Sequence, residues 1–126
     1  MNVFDASSVL AALLEEQGGD RAQALMEEGG GMISSVNFSE VMSKLFERGV
    51  TLADAQTAWS GVPLAIEPLT ESIALAAAWL RPQTRSLGLS LGDRCCLALG
   101  RTLAARIVTA DRSWQSLDGF DLVAIR

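Results

Sequence analysis

Four acidic residues stand apart from the other charges of this chain: Asp5 in VFDASSVLA, Glu40 in ISSVNFSEVMSK, Asp93 in LSLGDRCCLALG and Asp111 in IVTADRSW. Asp5, Glu40 and Asp111 follow strand-like stretches, and Asp93 opens the long apolar helix that leads into the strand before Asp111. Taken singly, each has a local explanation. Asp5 and Asp111 can cap the helices that follow them, and Glu40 and Asp93 occupy the third helical positions behind Asn37 and Ser90. Taken together they carry a second meaning, because capping does not require four acids to converge on one edge of one sheet. Like charges about 4 Å apart repel by roughly 4 kcal/mol at an effective dielectric of 20, so convergent carboxylates protonate, spread apart or bind cations. Oxygen-only ligands favour Mg²⁺ or Mn²⁺ over zinc or copper, and magnesium works with a few carboxylates, water and substrate phosphate.

Other chemistries are removed by what the chain lacks. It contains no histidine, which excludes serine–histidine triads, paired-histidine ribonuclease chemistry and His-ligated metals together. Lys44 is its single lysine, and no GxxxxGK loop is present, so P-loop chemistry is excluded as well. Cys95 and Cys96 are adjacent, a poor geometry for a mutual disulfide; they read as small buried residues on a helix. Any catalysis here falls to carboxylates.

The elements that must position those carboxylates follow from periodicity and punctuation. Val3 and Phe4 open a strand, and the amphipathic stretch Ala6–Glu16 reads as a helix that stops at Gly18 and Gly19. A helix over Arg21–Glu28 and a buried strand over Met32–Val36 come next. Asn37 is placed as the N-cap of a helix running to Arg48, with Glu40 in the capping-box position. Thr51–Ser60 is helical, Pro63–Leu69 is a short strand, Ser72–Leu80 is helical and Arg81–Leu89 is a connector. Ser90 caps an apolar helix reaching Ala104, and strands follow at Ile107–Thr109 and Leu122–Ile125. Alternation of this kind predicts an α/β fold, a three-layer α/β/α sandwich around a mostly parallel sheet. In such folds ligands bind beyond the carboxyl ends of the strands, where the strand order reverses.

At 126 residues the chain is expected to form one domain, with 49% hydrophobic and 20% charged residues in the range of an ordinary globule. Its apolar windows fall short of the roughly 20 residues a membrane helix needs, and its MNVFD start lacks a basic leader, so a cytoplasmic location is expected and no membrane partner.

The four acidic stretches, in this order and with these intervals, resemble the motifs of PIN-domain ribonucleases, in the subgroup of VapC-type toxins from toxin–antitoxin pairs. The resemblance spans nearly the whole chain, with no acid missing. It implies a PIN-like fold and a metal-dependent endoribonuclease that hydrolyses RNA to a 3′ hydroxyl and a 5′ phosphate with Mg²⁺ or Mn²⁺. It makes Asp5, Glu40, Asp93 and Asp111 the catalytic and metal-binding quartet, Asp5 and Asp93 being the most direct ligands. Ser7 and Thr109 match small hydroxyl positions that support the pocket, with a solvated helix residue and a plain strand residue as the alternatives. The resemblance also implies a small antitoxin whose tail wraps the toxin and sets a basic side chain in the acidic pocket. DNA is then reached only indirectly, through the antitoxin.

A net charge of −5 appears to oppose a polyanionic substrate, but the four acids supply most of it and two divalent ions would return four positive charges. Arg81, Arg85, Arg94 and Arg112 lie near the acidic motifs in sequence and read either as phosphate contacts or as a solvated rim. Lys44 and Arg48, on the helix face of Glu40, carry the same two readings. Trp59, Trp79 and Trp114 read as core or interface residues, with Trp114 the best candidate for stacking on a base. Apolar surface over Met42–Phe46 and Leu52–Trp59 predicts a homodimer or an antitoxin groove. A phosphoacceptor receiver domain would require an acidic pair at the first strand and a late lysine, and a haloacid-dehalogenase phosphatase a second acid where Ser7 stands. A PIN-like binding scaffold without activity would be marked by loss of one of the acids.

Overall fold

Five short strands form the centre of the molecule, and the computed structural model describes all residues from 1 to 126. In chain order the elements are β1 (Asn2–Phe4), α1 (Ala6–Leu13), α2 (Gly19–Glu27), β2 (Gly31–Ser34), α3 (Ser35–Glu47), α4 (Leu52–Ser60) and β3 (Leu64–Glu67). Then come α5 (Glu71–Trp79), α6 (Arg81–Thr84), α7 (Leu91–Thr102), β4 (Arg106–Thr109) and β5 (Asp121–Ala124). Single 3₁₀ turns occupy Arg85–Leu87 and Arg112–Ser116.

The strand order is β3-β2-β1-β4-β5, with every neighbouring pair parallel. Successive side chains on a strand point to opposite faces. Val3 and Ile107 accordingly join the core made with α5 and α7, where Leu80, Leu97 and Trp114 are buried. Phe4, Ile33 and Val108 join the opposite core, with Val9 and Ala11 of α1, Met26 of α2 and Val41 of α3. Helices thus cover both faces, as the alternation of elements predicts. The chain moves from β1 outward to β2 and β3, then returns to the other side of β1 for β4 and β5. The strand order therefore reverses between β1 and β4, and Asp5 and Asp111 follow those two strands.

Several boundaries differ from the sequence expectation. Helix α1 ends at Leu13 rather than Glu16, because Glu15 and Gly18 take left-handed backbone at φ 54° and 85° and turn the chain back. A Cβ at Gly18 would stand 2.6 Å from the carbonyl oxygen of Ile125, so both the conformation and the close approach call for glycine. The segment expected as a connector over 81–89 contains α6, started by Pro82 in its first turn. Ser34, not Asn37, caps α3: strand β2 ends at Ser34, whose hydroxyl accepts from the Val36 amide at 3.2 Å. Asn37 falls inside the helix and is fully buried.

Helix α7 begins as the sequence predicts. The Ser90 hydroxyl accepts from the Asp93 amide at 3.2 Å, and the Asp93 carboxylate accepts from the Ser90 amide at 2.9 Å, a complete capping box. Ser90→Ala removes half of it and is expected to cost about 1 kcal/mol, read by urea unfolding. The melting temperature should fall by about 3 to 5 °C; an unchanged unfolding curve would mean that the box contributes nothing to α7.

Candidate active site

Asp5 leaves β1 and caps α1, and in doing so is carried into the interior. It is 3% exposed. One carboxylate oxygen accepts from the Ser8 amide at 2.8 Å, and the other from the Thr109 hydroxyl at 2.5 Å. The Ser7 hydroxyl lies 2.8 Å from both oxygens. Those hydroxyls are themselves anchored, since Ser7 Oγ accepts from the Ala110 amide at 3.0 Å and Thr109 Oγ1 from the Asp111 amide at 3.0 Å. Backbone and side-chain bonds thus tie the end of β1 to the end of β4. Burial pushes the Asp5 carboxyl up to about 6, against the opposing pull of the bonds from Thr109, Ser8 and Ser7.

Glu40 reaches the same place from α3. Its carboxylate accepts from Asn37 Nδ2 at 3.1 Å, and the same Nδ2 donates to the Gly92 carbonyl at 3.0 Å. Asn37 therefore clamps the first turn of α7, which carries Asp93, to the helix that carries Glu40. The remaining Asn37 oxygen is buried without a partner. Gly92 completes the fit: a Cβ there would collide with the Glu40 carboxylate. Partial burial raises the Glu40 carboxyl, the Asn37 bond opposes this, and the Asp93 charge adds to the rise.

Asp111 closes the site from the far side. One of its oxygens accepts from the Ser113 amide at 3.0 Å and the Ser113 hydroxyl at 2.7 Å, which caps the 3₁₀ turn that buries Trp114. Asp5, Glu40, Asp93 and Asp111 all line one cavity of about 540 Å³, together with Ser7, Leu10, Val36, Lys44 and Trp114. Cys96 of α7 is fully buried; burial lifts its thiol well above the usual value, and the charges of Asp5, Asp93 and Glu40 lift it further.

The donors around this cavity are carboxylate and hydroxyl oxygens, a set suited to a hard divalent cation. Both cysteines are free and buried, as the sequence predicts, and with raised pKa they are poor ligands at neutral pH. No three acids stand gathered as a ready-made cage. Mutual repulsion keeps uncompensated carboxylates apart, and magnesium, which retains several waters, needs only one or two of them directly. The residues present fit such an ion.

The other residues singled out from the sequence divide. Ser7 and Thr109 stand against Asp5, as described. Arg112 is exposed beside Asp111. Arg94 is placed elsewhere: its guanidinium donates to the Ala77 carbonyl at 3.1 Å, which ties α7 to α5. Lys44 lines the cavity while Arg48 does not. Trp114 is core and cavity wall at once, Trp59 packs edge-on against Phe38 with centroids 4.8 Å apart, and Trp79 is 80% exposed. Sequence reasoning missed the roles of Asn37 and Gly92. The recurrence of Val36, Ser39, Glu40, Ser43 and Lys44 along one face of α3 was a legible signal, and all five line the cavity.

The PIN domain family model matches residues 3–119. The chain belongs to the PIN domain family. Among functionally curated proteins none matches, but solved structures resemble the fold end to end. A toxin–antitoxin complex from Klebsiella pneumoniae is 19% identical with a TM-score of 0.74, covering 100% of this chain and 98% of the other. VapBC2 from Rickettsia felis, bound to a DNA fragment from its promoter, is 14% identical with the same TM-score of 0.74, at 98% and 97% coverage. A VapC toxin of Mycobacterium tuberculosis, described as cleaving the sarcin–ricin loop, is 18% identical with a TM-score of 0.74, at 92% and 94% coverage. At these identities the likeness establishes that this PIN domain has the VapC-type fold.

Two outcomes follow from the environment of this PIN domain's acids. Asn37→Ala should cost about 1 to 3 kcal/mol in urea unfolding, since it strips the buried Gly92 carbonyl and Glu40 of a donor; a loss below about 0.5 kcal/mol would refute the clamp. Asp5, raised to about 6, keeps its proton in the folded chain to higher pH than in the unfolded one. Stability contributed by the neutral form is therefore complete below about pH 4 and lost as pH rises through about 6, a fall of about 2 to 3 kcal/mol. Unfolding in EDTA at pH 4 and pH 7 should show this fall in the native chain and not in Asp5→Asn; equal pH dependence of the two would contradict it.

Proposed function

We propose that this PIN domain is a metal-dependent endoribonuclease, the toxin of a type II toxin–antitoxin pair, acting in the cytoplasm with Mg²⁺ or Mn²⁺. The observation that carries the reading is the convergence of Asp5, Glu40, Asp93 and Asp111, far apart in sequence, on the walls of one cavity at the carboxyl ends of β1 and β4. A divalent cation held by these carboxylates supplies, when bound, activation of water for attack on a phosphodiester and neutralisation of the charge that develops on phosphorus.

The chain's own residues do the rest by position. Ser7, Ser8 and Thr109 fix the Asp5 carboxylate, so a ligand direction is set before any ion arrives. Asn37 holds Glu40 toward the cavity beside Asp93. Asp93 and Asp111 each spend one oxygen on a cap and turn the other to no protein partner. The apolar wall of Leu10, Val36 and Trp114 lowers the local dielectric and strengthens each of these interactions. No protein nucleophile is required.

The partners proposed with this reading are an RNA substrate, a cognate small antitoxin and a second copy of the chain. An acidic cavity accepts the basic side chain of an antitoxin for the same reason that it accepts a cation. DNA enters only through that antitoxin. Large apolar side chains available for association are Phe46 at 43% and Leu52 at 63% exposed, and on α5 Leu75 at 72% and Trp79 at 80%. No helix is long and apolar enough to cross a membrane.

Purified protein should cleave single-stranded RNA with Mg²⁺ or Mn²⁺ and not in excess EDTA, leaving 5′ phosphate ends. Asp5→Asn and Asp93→Asn should each lower the rate by about a hundredfold or more while keeping the native circular-dichroism spectrum. Undiminished cleavage in EDTA, or in both variants, would overturn the assignment.

A further inference from the structure

A second depression, of about 520 Å³, adjoins the acidic cavity and shares Ser7 and Asp111 with it as a common wall. Its remaining lining is of the opposite character: Gln17, Ala110, Arg112, Ser113 and Arg126, with no acid other than the shared Asp111. The sheet register explains the placement. Thr109 of β4 pairs with Ala124 of β5, and the Ile125 amide donates to the Thr109 carbonyl at 3.0 Å. Two residues beyond that pair, past the ends of both strands, stand Asp111 and Arg126, and both line the depression. Reading along the carboxyl edge of the sheet from β1 through β4 to β5, the side chains pass from Asp5 to Asp111 to Arg126, from buried anion to exposed cation.

Neither arginine forms an ion pair. The ion pairs of the molecule are Lys44 with Glu47, on the α3 wall of the acidic cavity, and Arg106 with Glu28; neither involves Arg112 or Arg126. Arg126 donates one guanidinium nitrogen to the Gln17 carbonyl at 3.0 Å, which fixes its position, and it forms no ion pair with an acidic side chain. Arg112 makes no protein hydrogen bond or ion pair, although Asp111 is its chain neighbour. The Ser113 hydroxyl engages Asp111 instead, at 2.7 Å. Two unpaired guanidiniums in one concavity, with a side-chain amide alongside, match the geometry of phosphate recognition, because the planar fork binds phosphate oxygens two at a time.

We propose that this depression is a phosphate subsite for the RNA strand, in which Arg112 and Arg126 hold the backbone phosphate next to the one positioned at the acidic cavity. The inference rests on the nuclease reading for the identity of the strand, and it adds what that reading lacks: a source of affinity in a chain of net charge −5, and a direction for the strand along the sheet edge. The subsite is electrostatic and contacts the backbone alone, so it contributes to binding of any sequence and to the salt dependence of that binding.

The test separates binding from cleavage. Affinity for a short fluorescein-labelled single-stranded RNA is measured by anisotropy in EDTA, over a series of salt concentrations, for the native chain and for Arg112→Ala, Arg126→Ala and the double variant. Arg101→Ala, whose arginine lies over the Phe120 ring at 4.9 Å away from this edge, serves as the charge control. Each single substitution should weaken binding about three- to tenfold and lower the slope of log affinity against log salt by about 0.7 to 1. The double variant should lose about both increments, and Arg101→Ala should change neither quantity. In the presence of Mn²⁺ the single variants should raise KM and leave kcat near the native value. Native-like affinity and slope in the double variant would overturn the subsite, including the case in which the arginines serve an acidic segment of a protein partner, whatever the cleavage assay gives. Loss of kcat at unchanged affinity would overturn it as well. Failure of the native chain to cleave RNA would instead strike the nuclease reading, since the affinity series is run without metal or turnover.

Discussion

A carboxylate taken out of water must be met by a cation or by hydrogen-bond donors, and around Asp5 the protein itself supplies donors. Asp5 follows the central strand β1, is almost wholly buried, and is held by two hydroxyls and one amide. Those bonds lower its pKa, burial raises it, and burial wins, leaving the carboxyl at about 6. The surrounding architecture serves that one placement. Thr109 and Ser7 can reach Asp5 only because β4 lies directly beside β1, and β4 lies there because the chain reverses its direction of travel across the sheet at that point. The unfavourable solvation of the bare anion and its attraction for a hard cation are two aspects of one environment: a low-dielectric wall on one side and open space on the other.

Capping and site-building are not rival accounts of these acids. Asp5 caps α1, Asp93 completes the box at the start of α7, and Asp111 caps the turn before β5. A cap engages the carboxylate from its own helix end and restricts its rotamer. For Asp5 and Asp111 that end lies just past a strand, on the carboxyl edge of the parallel sheet, whereas Asp93 reaches the same cavity from the start of α7, which follows α6 and a 3₁₀ turn. For Asp93 and Asp111 one oxygen is consumed by the cap and the second faces away from protein donors. Local folding rules therefore restrict the rotamers of these carboxylates where they line the cavity. Glu40 is the exception. It lies within α3 and needs Asn37 as a separate restraint.

How far the sequence reveals this arrangement follows from the range of the interactions involved. Strand and helix identities came from periodicity and turn residues, which are local, and all five strands lie where alternation predicted them. The Ser90 box was legible because Ser90 and Asp93 are three residues apart. Asn37 was misassigned because an asparagine three places before a glutamate has the same local signature whether it caps a helix or sits within its first turn. The end of β2 decides between them, and that end depends on pairing with β1 and β3. The clamp from Asn37 to Gly92 spans 55 residues, and no local pattern records it. Arg94 was grouped with the site for its proximity in sequence to Asp93. The next position on a helix turns about 100° away, and Arg94 faces α5 instead. Arg126 escaped notice for the complementary reason, since register between β4 and β5, rather than nearness in sequence, sets it beside Asp111.

The same division explains how neighbours only 14 to 19% identical keep a common fold with TM-scores of 0.74. A three-layer sandwich asks its core positions for apolar volume and the right period, a demand that many residue combinations satisfy. It asks much more of the carboxyl edge. At Gly92 the space for a methyl group is already taken by Glu40, and at Asp5 the hydroxyls of Ser7 and Thr109 must both be present to stabilise an otherwise unpaired charge. Change in the core alters stability by amounts that neighbouring residues can absorb. Change at this edge leaves a buried polar group without a partner. The four acids thus reach one cavity from the ends of β1 and β4 and from α3 and α7, and the rest of the fold holds those four points together.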